Sequence, residues 1–295
     1  MKNTKCNFQL INCHFKPSHF YFILPYFQVI CKEGETLQHF RTVIKYPGAK
    51  WRLSEWIISH MPEHKSYLEP YFGSGAVFFR KEPSRIETIN DLDGGIVNLF
   101  SCVRDDPERL AGMIATTPYA RQEYYSAFDS PAADHFEQAR LFLLQCWQGH
   151  GFPTYCRSGW KNDVAGREYA YAVRYWNQLP EWVMQACWRL KEAQIECRPA
   201  MEVIQRFNRP DVLIYADPPY LLSTRKMKKQ YAYEMTDADH VKLLETLKQH
   251  QGPVLLSGYD NDLYNDILQG WQKDQIITTA EKGKHRTETL WIKTI

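Results

Sequence analysis

The run Asp211-Val212-Leu213-Ile214-Tyr215-Ala216 is apolar at every residue after its first, and it ends at Asp217-Pro218-Pro219-Tyr220. A strand that alternates apolar and polar residues can leave one face in water. An unbroken apolar strand needs cover on both faces, which the interior of a parallel α/β sheet provides. The two prolines then stop it, because neither has an N–H to give a neighbouring strand. The chain is thereby committed to a layered α/β fold with this turn at the carboxyl edge of the sheet, where open α/β sheets bind ligands.

Upstream, Ser66 to Pro70 reads as a short strand running into Tyr71-Phe72-Gly73-Ser74-Gly75, with a helix beginning over Ala76 to Arg80. Strand, glycine turn and helix in that order open a doubly wound nucleotide-binding sheet. Before them come the tight loop Tyr46-Pro47-Gly48-Ala49-Lys50 and an amphipathic run from Leu53 to His60. Ile86 to Ile89 forms the next strand, ending in Asn90-Asp91-Leu92-Asp93, and a helix follows over Gly95 to Arg104. Pro107 to Phe207 is mainly helical, with amphipathic runs at Phe136–Trp147 and Ala170–Asn177 around an irregular stretch, Gly149 to Gly166. The sheet pattern resumes at Asp211; a helix starts near Thr236 with Val241, Leu244 and Leu247 on one face, and Pro253 to Leu256 is a buried strand ending at Ser257-Gly258-Tyr259. Gln275–Thr279 and Thr289–Ile295 close the pattern as an antiparallel pair. The expected fold class is α/β, a doubly wound Rossmann-like sheet with a mainly helical inserted domain. Residues 41–106 and 207–295 form the catalytic domain and 107–206 the insertion.

Residues 1–40 are rich in Phe, Tyr, His and Cys and show no clean period. The apolar part, Phe20 to Ile30, is too short to span a bilayer, is broken by Pro25 and lacks a small-residue cleavage site. The stretch is expected to be a poorly ordered N-terminal extension, and the protein cytoplasmic with no membrane partner. Lysine and arginine number 36 against 34 acidic residues, so any hold on nucleic acid must come from local patches. The 8 cysteines include no pair at zinc-knuckle or redox spacing, which predicts reduced structural thiols and no metal site.

Three motifs carry chemistry. Gly73 and Gly75 let the backbone approach a ligand, but the third glycine of a pyrophosphate-binding fingerprint is missing, which argues against NAD or FAD. Asp91, at the end of the second strand, stands where a carboxylate accepts ribose hydroxyls; Asp91 or Asp93 equally suits a helix N-cap. Asp217-Pro218-Pro219-Tyr220 is the sharpest signal. The prolines aim the Asp217 carboxylate and the Pro218 carbonyl the same way, two acceptors suited to a planar amine, and Tyr220 offers an aromatic face for a flat base.

With these motifs the chain, from about Lys45 onward, resembles the Dam-like, D12-class adenine-specific DNA methyltransferases. Tyr46-Pro47-Gly48-Ala49-Lys50 resembles that family's N-terminal cofactor motif, with Tyr46 in place of the usual Trp and Ala49 in place of the second Gly. Glu69 to Gly75 resembles its methionine-binding motif, Asp91 its ribose-binding position, and Asp217 to Tyr220 its catalytic motif. The resemblance implies S-adenosylmethionine as methyl donor, bound by Tyr46, Lys50, Glu69, Tyr71, Phe72, Gly73, Gly75, Asp91 and Asp217. It implies adenine N6 in double-stranded DNA as acceptor, with Asp217, Pro218, Pro219 and Tyr220 catalytic and monomeric action in a bacterial or phage-infected cell. The motif order is similar to the alpha arrangement, in which the long insertion carries target recognition. Within it Tyr155, Arg157, Trp160 and Lys161 have the mix that touches phosphate and bases, as do Arg225, Lys226, Lys228 and Lys229 later; both segments read equally as solvated surface. RNA or protein-glutamine methylation, or DNA binding by an inactive homologue, remain the alternatives.

Overall fold

The computed structural model describes residues 41–151, 157–164, 169–225, 230–279 and 285–294. The expected extension over residues 1–40 lies outside them. The strands are β1 (Ser66–Glu69), β2 (Ile86–Asn90), β3 (Ala193–Glu196), β4 (Val212–Ala216), β5 (Val254–Tyr259), β6 (Gln272–Thr279) and β7 (His285–Lys293). They form one sheet in the order β3-β2-β1-β4-β5-β7-β6. The first five strands run parallel, and β7 inserts between β5 and β6, antiparallel to both.

Side chains of a strand point alternately to opposite faces, and the core divides accordingly. Tyr67, Leu213, Tyr215, Leu255, Leu290 and Ile292 pack on one face with α1 (Ser54–Ser59), α2 (Gly94–Asp105), α3 (Pro107–Ala115), α4 (Arg121–Asp129), α5 (His135–Gln148) and α6 (Tyr171–Leu190). Leu68, Val212, Ile214, Ala216, Val254, Leu256 and Trp291 pack on the other with α7 (Ala200–Arg206), α8 (Asp237–Gln249) and α9 (Asp262–Ile267). This is the doubly wound α/β arrangement that the apolar β4 demands. The stretch 107–206, expected as one helical insertion, is divided: α3 to α6 are helical, but β3 pairs with β2 in the sheet and α7 belongs to the second layer.

Three local expectations need correction. Ala76 to Arg80 winds into helical turns without becoming a continuous helix: Phe79 N donates to the Gly75 carbonyl and Lys81 N to that of Val77, each four residues back at 2.9 Å, but Arg80 N reaches Val77, three back, at 3.1 Å, and Pro83 follows. The amphipathic run at Ala170–Asn177 is only the first part of a helix that continues to Leu190 through Pro180. An interior proline costs about 3 kcal/mol, whereas Trp176, Leu179, Trp182 and Val183 are all buried, each contributing roughly 1.5–3 kcal/mol, so packing outweighs the break. On α8 the buried face is His240, Leu243, Leu244 and Leu247, with Val241 at 38% exposure outside it.

Both layers are pinned by polar contacts. Asp93 caps α2 through the Gly95 N–H at 2.9 Å, and Thr236 with Asp239 forms a capping box on α8. Under the sheet, Glu87 of β2 is buried and accepts from Lys81 Nζ at 2.6 Å and from both Arg189 Nη1 and Nη2, tying α6 to β2. Removing the one carboxylate that two buried cations share would strand both of them. Glu87→Gln is therefore expected to cost on the order of 3 kcal/mol, read as a fall in the denaturant midpoint.

Candidate active site

The strand order reverses at β1 and β4: successive strands run from β1 to β2 on one side and from β4 to β5 on the other. Such a switch point opens a crevice at the carboxyl ends. A cavity of about 270 Å³ lies there, walled by the loop Tyr46–Lys50, the end of β1 with its glycine turn, Asn90–Asp93, Pro199–Met201, Asp217 with Pro219, and Tyr231–Met235.

Gly73 and Gly75 have φ of 51° and 65°, left-handed values that favour glycine. A Cβ on Gly75 would sit 2.4 Å from Phe72 Cζ. Asp91 closes the turn from the side: its carboxylate accepts from Gly73 N at 2.8 Å and from Asp93 N at 2.9 Å. The choice left open by the sequence is thus divided between two residues, Asp93 capping α2 and Asp91 facing the cavity. Burial pushes the Asp91 carboxyl up to about 6, against the pull of these two N–H donors. Glu69, the last residue of β1, is buried and accepts from the Tyr67 hydroxyl at 2.7 Å. Burial pushes its carboxyl up to about 8. Tyr46 and Tyr71 line the same cavity, whereas Phe72 also packs edge to face on Phe100, with centroids 4.9 Å apart.

Asp217 follows β4 at the cavity's floor. Its Oδ2 lies 2.9 Å from Lys50 Nζ and its Oδ1 accepts from Ser257 Oγ at 2.9 Å. Lys50 also donates to the Gly48 carbonyl at 2.7 Å. Burial lowers its affinity for a proton, but the Asp217 and Glu288 carboxylates outweigh burial and hold the ammonium above the usual lysine range. Both oxygens of the Asp217 carboxylate thus have a partner. Pro218 is buried and Pro219 lines the cavity. Tyr220 is 8% exposed, and its hydroxyl donates to Glu288 Oε2 at 2.7 Å.

The expected DNA contacts separate into three groups. Tyr155, Lys226, Lys228 and Lys229 lie outside the described residues. Arg225 is corrected: its guanidinium is 5% exposed and ion-paired with Glu234, so it braces the loop beside the cavity rather than facing solvent. Trp160 and Lys161 sit on the insertion against the end of α5; Trp160 packs on Tyr119 at 5.5 Å, and the Lys161 N–H donates to the Gln148 carbonyl at 2.7 Å. Arg157 stacks over Tyr125 at 4.2 Å and lies 3.6 Å from Asp129. Near Lys161 stands a residue that motif matching passed over. Lys45 Nζ lies 4.1 Å from the Trp147 ring centroid, and burial and the Lys161 charge push it down to about 8. Two cations held together on an aromatic floor suit a polyanion. Tyr231 and Glu288 were equally invisible; a side chain at Gly48 would meet the Tyr231 hydroxyl at 2.6 Å, a contact made by chain folding.

Over residues 46–284 the sequence matches the D12 class N6 adenine-specific DNA methyltransferase family. The chain belongs to that family. The DNA adenine methylase of Salmonella typhi is 25% identical over 78% of this chain and 84% of its own length. That of Vibrio cholerae is 25% identical over 85% of this chain and 94% of its own. A SAM-dependent methyltransferase of known structure from Agrobacterium tumefaciens superposes with a TM-score of 0.36 at 11% identity, over 83% of this chain and 61% of that one. With membership of the D12 class in place, the RNA and protein-glutamine alternatives fall away. Among the described residues, no helix is long and apolar enough to cross a membrane, and no group of His, Cys, Asp and Glu could hold a metal ion.

Burial holds the Glu69 carboxyl of this D12-class site well above its ordinary range, which links stability to pH. Glu69, with a folded value of about 8 against an ordinary 4.5, keeps a proton that the unfolded chain releases. Its contribution is fully present below pH 4.5 and is lost as pH rises to about 8. The ligand-free protein should lose stability across that window, and Glu69→Gln should flatten the slope in denaturant titrations at pH 6, 7 and 8.

Proposed function

We propose that this chain transfers a methyl group from S-adenosylmethionine to adenine N6 in duplex DNA, with Asp217 as the residue that holds the amine. The observation that carries this is the convergence of Lys50 and Ser257 on Asp217, in the wall of a cavity that Lys50, Glu69 and Asp91 also line. The cavity suits a nucleoside bearing a cation: carboxylates from Glu69 and Asp91, the close backbone of Gly73, and the aromatic faces of Tyr46 and Tyr71. Bound there, the donor supplies an electrophilic methyl group on sulfur.

The protein's part is positioning and electrostatics. Adenine N6 is out of reach inside the stack, so the target base must rotate out of the duplex. The Asp217 carboxylate and the Pro218 carbonyl accept the two N6 hydrogens, which draws the nitrogen lone pair out of the ring and toward the methyl group. The N–C bond forms as the C–S bond breaks, and the surplus N6 proton is shed. For the amine to reach Asp217, Lys50 must share or give up its place at Oδ2. Tyr220 supplies the face against which the base stacks. Lys45, Arg157, Trp160 and Lys161 form the DNA-facing surface. The enzyme acts as a monomer in a bacterial or phage-infected cell, the bacterial setting being that of the relatives.

Two experiments test these roles. Labelled methyl transfer to unmethylated genomic DNA, followed by digestion, should yield N6-methyladenine with the wild type and none with Asp217→Ala; retained turnover in that variant removes Asp217 from the mechanism. Lys45→Ala should weaken duplex binding about tenfold, the size of one charge-assisted contact. Because the Lys45 ammonium loses its proton as pH rises through about 8, wild-type affinity should fall between pH 7 and 9 and that of the variant should not.

A further inference from the structure

Strand β7 passes beside the Asp217–Tyr220 turn. Arg286 and Glu288, two residues apart, project from the same face of the strand, and each holds one ring of an aromatic pair. Arg286 Nη1 lies 2.8 Å from the Tyr259 hydroxyl, and Glu288 Oε2 accepts from the Tyr220 hydroxyl at 2.7 Å. The two rings meet edge to face, centroids 4.6 Å apart and planes at 75°. Glu288 stands opposite Tyr259 in the β5–β7 ladder, so the sheet fixes its backbone. It is 9% exposed. A carboxylate is costly to bury without partners, and this one is directed at a tyrosine hydroxyl. For stacking alone, a phenylalanine ring would serve as well; the hydroxyl gives Tyr220 an anchor that fixes the ring's tilt. The same tilt seats Lys50, whose ammonium lies 4.8 Å from the Tyr220 ring centroid beside Asp217.

We infer that Glu288 is a positioning residue for methyl transfer: by accepting the Tyr220 hydroxyl proton it sets the angle of the ring against which the target adenine stacks. This rests on the stacking role of Tyr220 proposed above. The role is mechanical, exerted through one hydrogen bond across two elements 68 residues apart in sequence.

The test is single-turnover methyl transfer to unmethylated genomic DNA at saturating S-adenosylmethionine, with cofactor affinity measured separately. Glu288→Ala and Tyr220→Phe should each slow transfer roughly tenfold, the size of one lost hydrogen bond to a charged acceptor. The double variant should be no slower than either, because both remove one interaction, and cofactor affinity should stay within twofold of wild type. Glu288→Gln, whose amide oxygen still accepts the hydroxyl proton, should restore most of the rate. Additive losses, or a Gln variant as slow as the Ala variant, would overturn the inference, since Glu288 would then act through its charge on Lys50 or through packing. If Glu288→Ala does not fold, Tyr220→Phe decides alone: a full rate there leaves the bond without a role. Tyr220→Ala separates the two layers of argument. A full rate in that variant removes Tyr220 from the site altogether, whereas a slow Tyr220→Ala beside a full-rate Tyr220→Phe overturns only the part played by Glu288.

Discussion

Strand β4 buries Val212, Ile214 and Ala216 against one helical layer and Leu213 and Tyr215 against the other, and the architecture follows from that double burial. Parallel neighbours on both sides keep its backbone groups paired, and helices must cover each face because five consecutive apolar side chains leave neither face wettable. The strand's end is then a fixed point. Asp217 emerges from a rigid element, next to the end of β1, at the place where the strand order reverses. A site built on strand ends is held more firmly than one carried on loops alone.

What gathers at that point is mostly negative. Glu69, Asp91 and Asp217 line a partly apolar cavity, with Glu288 bonded to Tyr220 beside it, and burial raises Glu69, Asp91 and Glu288 above the ordinary carboxylate range. Lys50 lies among them, bonded to Asp217 and held in its charged form by Asp217 and Glu288. A cationic methyl donor and a neutral amine are the ligands such a field favours, because the first gains from the carboxylates and the second needs acceptors rather than a charge.

The sequence shows the parts of this site that are local. Gly73 and Gly75 announce a left-handed turn after a strand, and Asp217-Pro218-Pro219-Tyr220 announces a polar stop after an apolar one. Most of the strand and helix order follows from periodicity, including the closing antiparallel pair, but β3 lies inside a stretch whose pattern reads as mainly helical. Where periodicity fails, distant packing has overruled a local rule: α6 runs through Pro180 because its buried tryptophans outweigh the break, and Val241 turns outward because His240 and Leu243 take the core side of α8.

From the sequence alone came the fold class, the carboxyl-edge location of the site and the placing of Asp91 and Asp217 at strand ends, all consequences of neighbours a few residues apart; Glu69 stood out only through the family resemblance. Tertiary structure alone decided what those carboxylates touch. Lys50 meets Asp217 across 167 residues, Ser257 meets it across 40, and Glu288 meets Tyr220 across 68. It also turned Arg225 from a free cation into the buried partner of Glu234. Hydrogen-bond partners and burial depend on which strand ends the sheet brings together, and no local spacing encodes that.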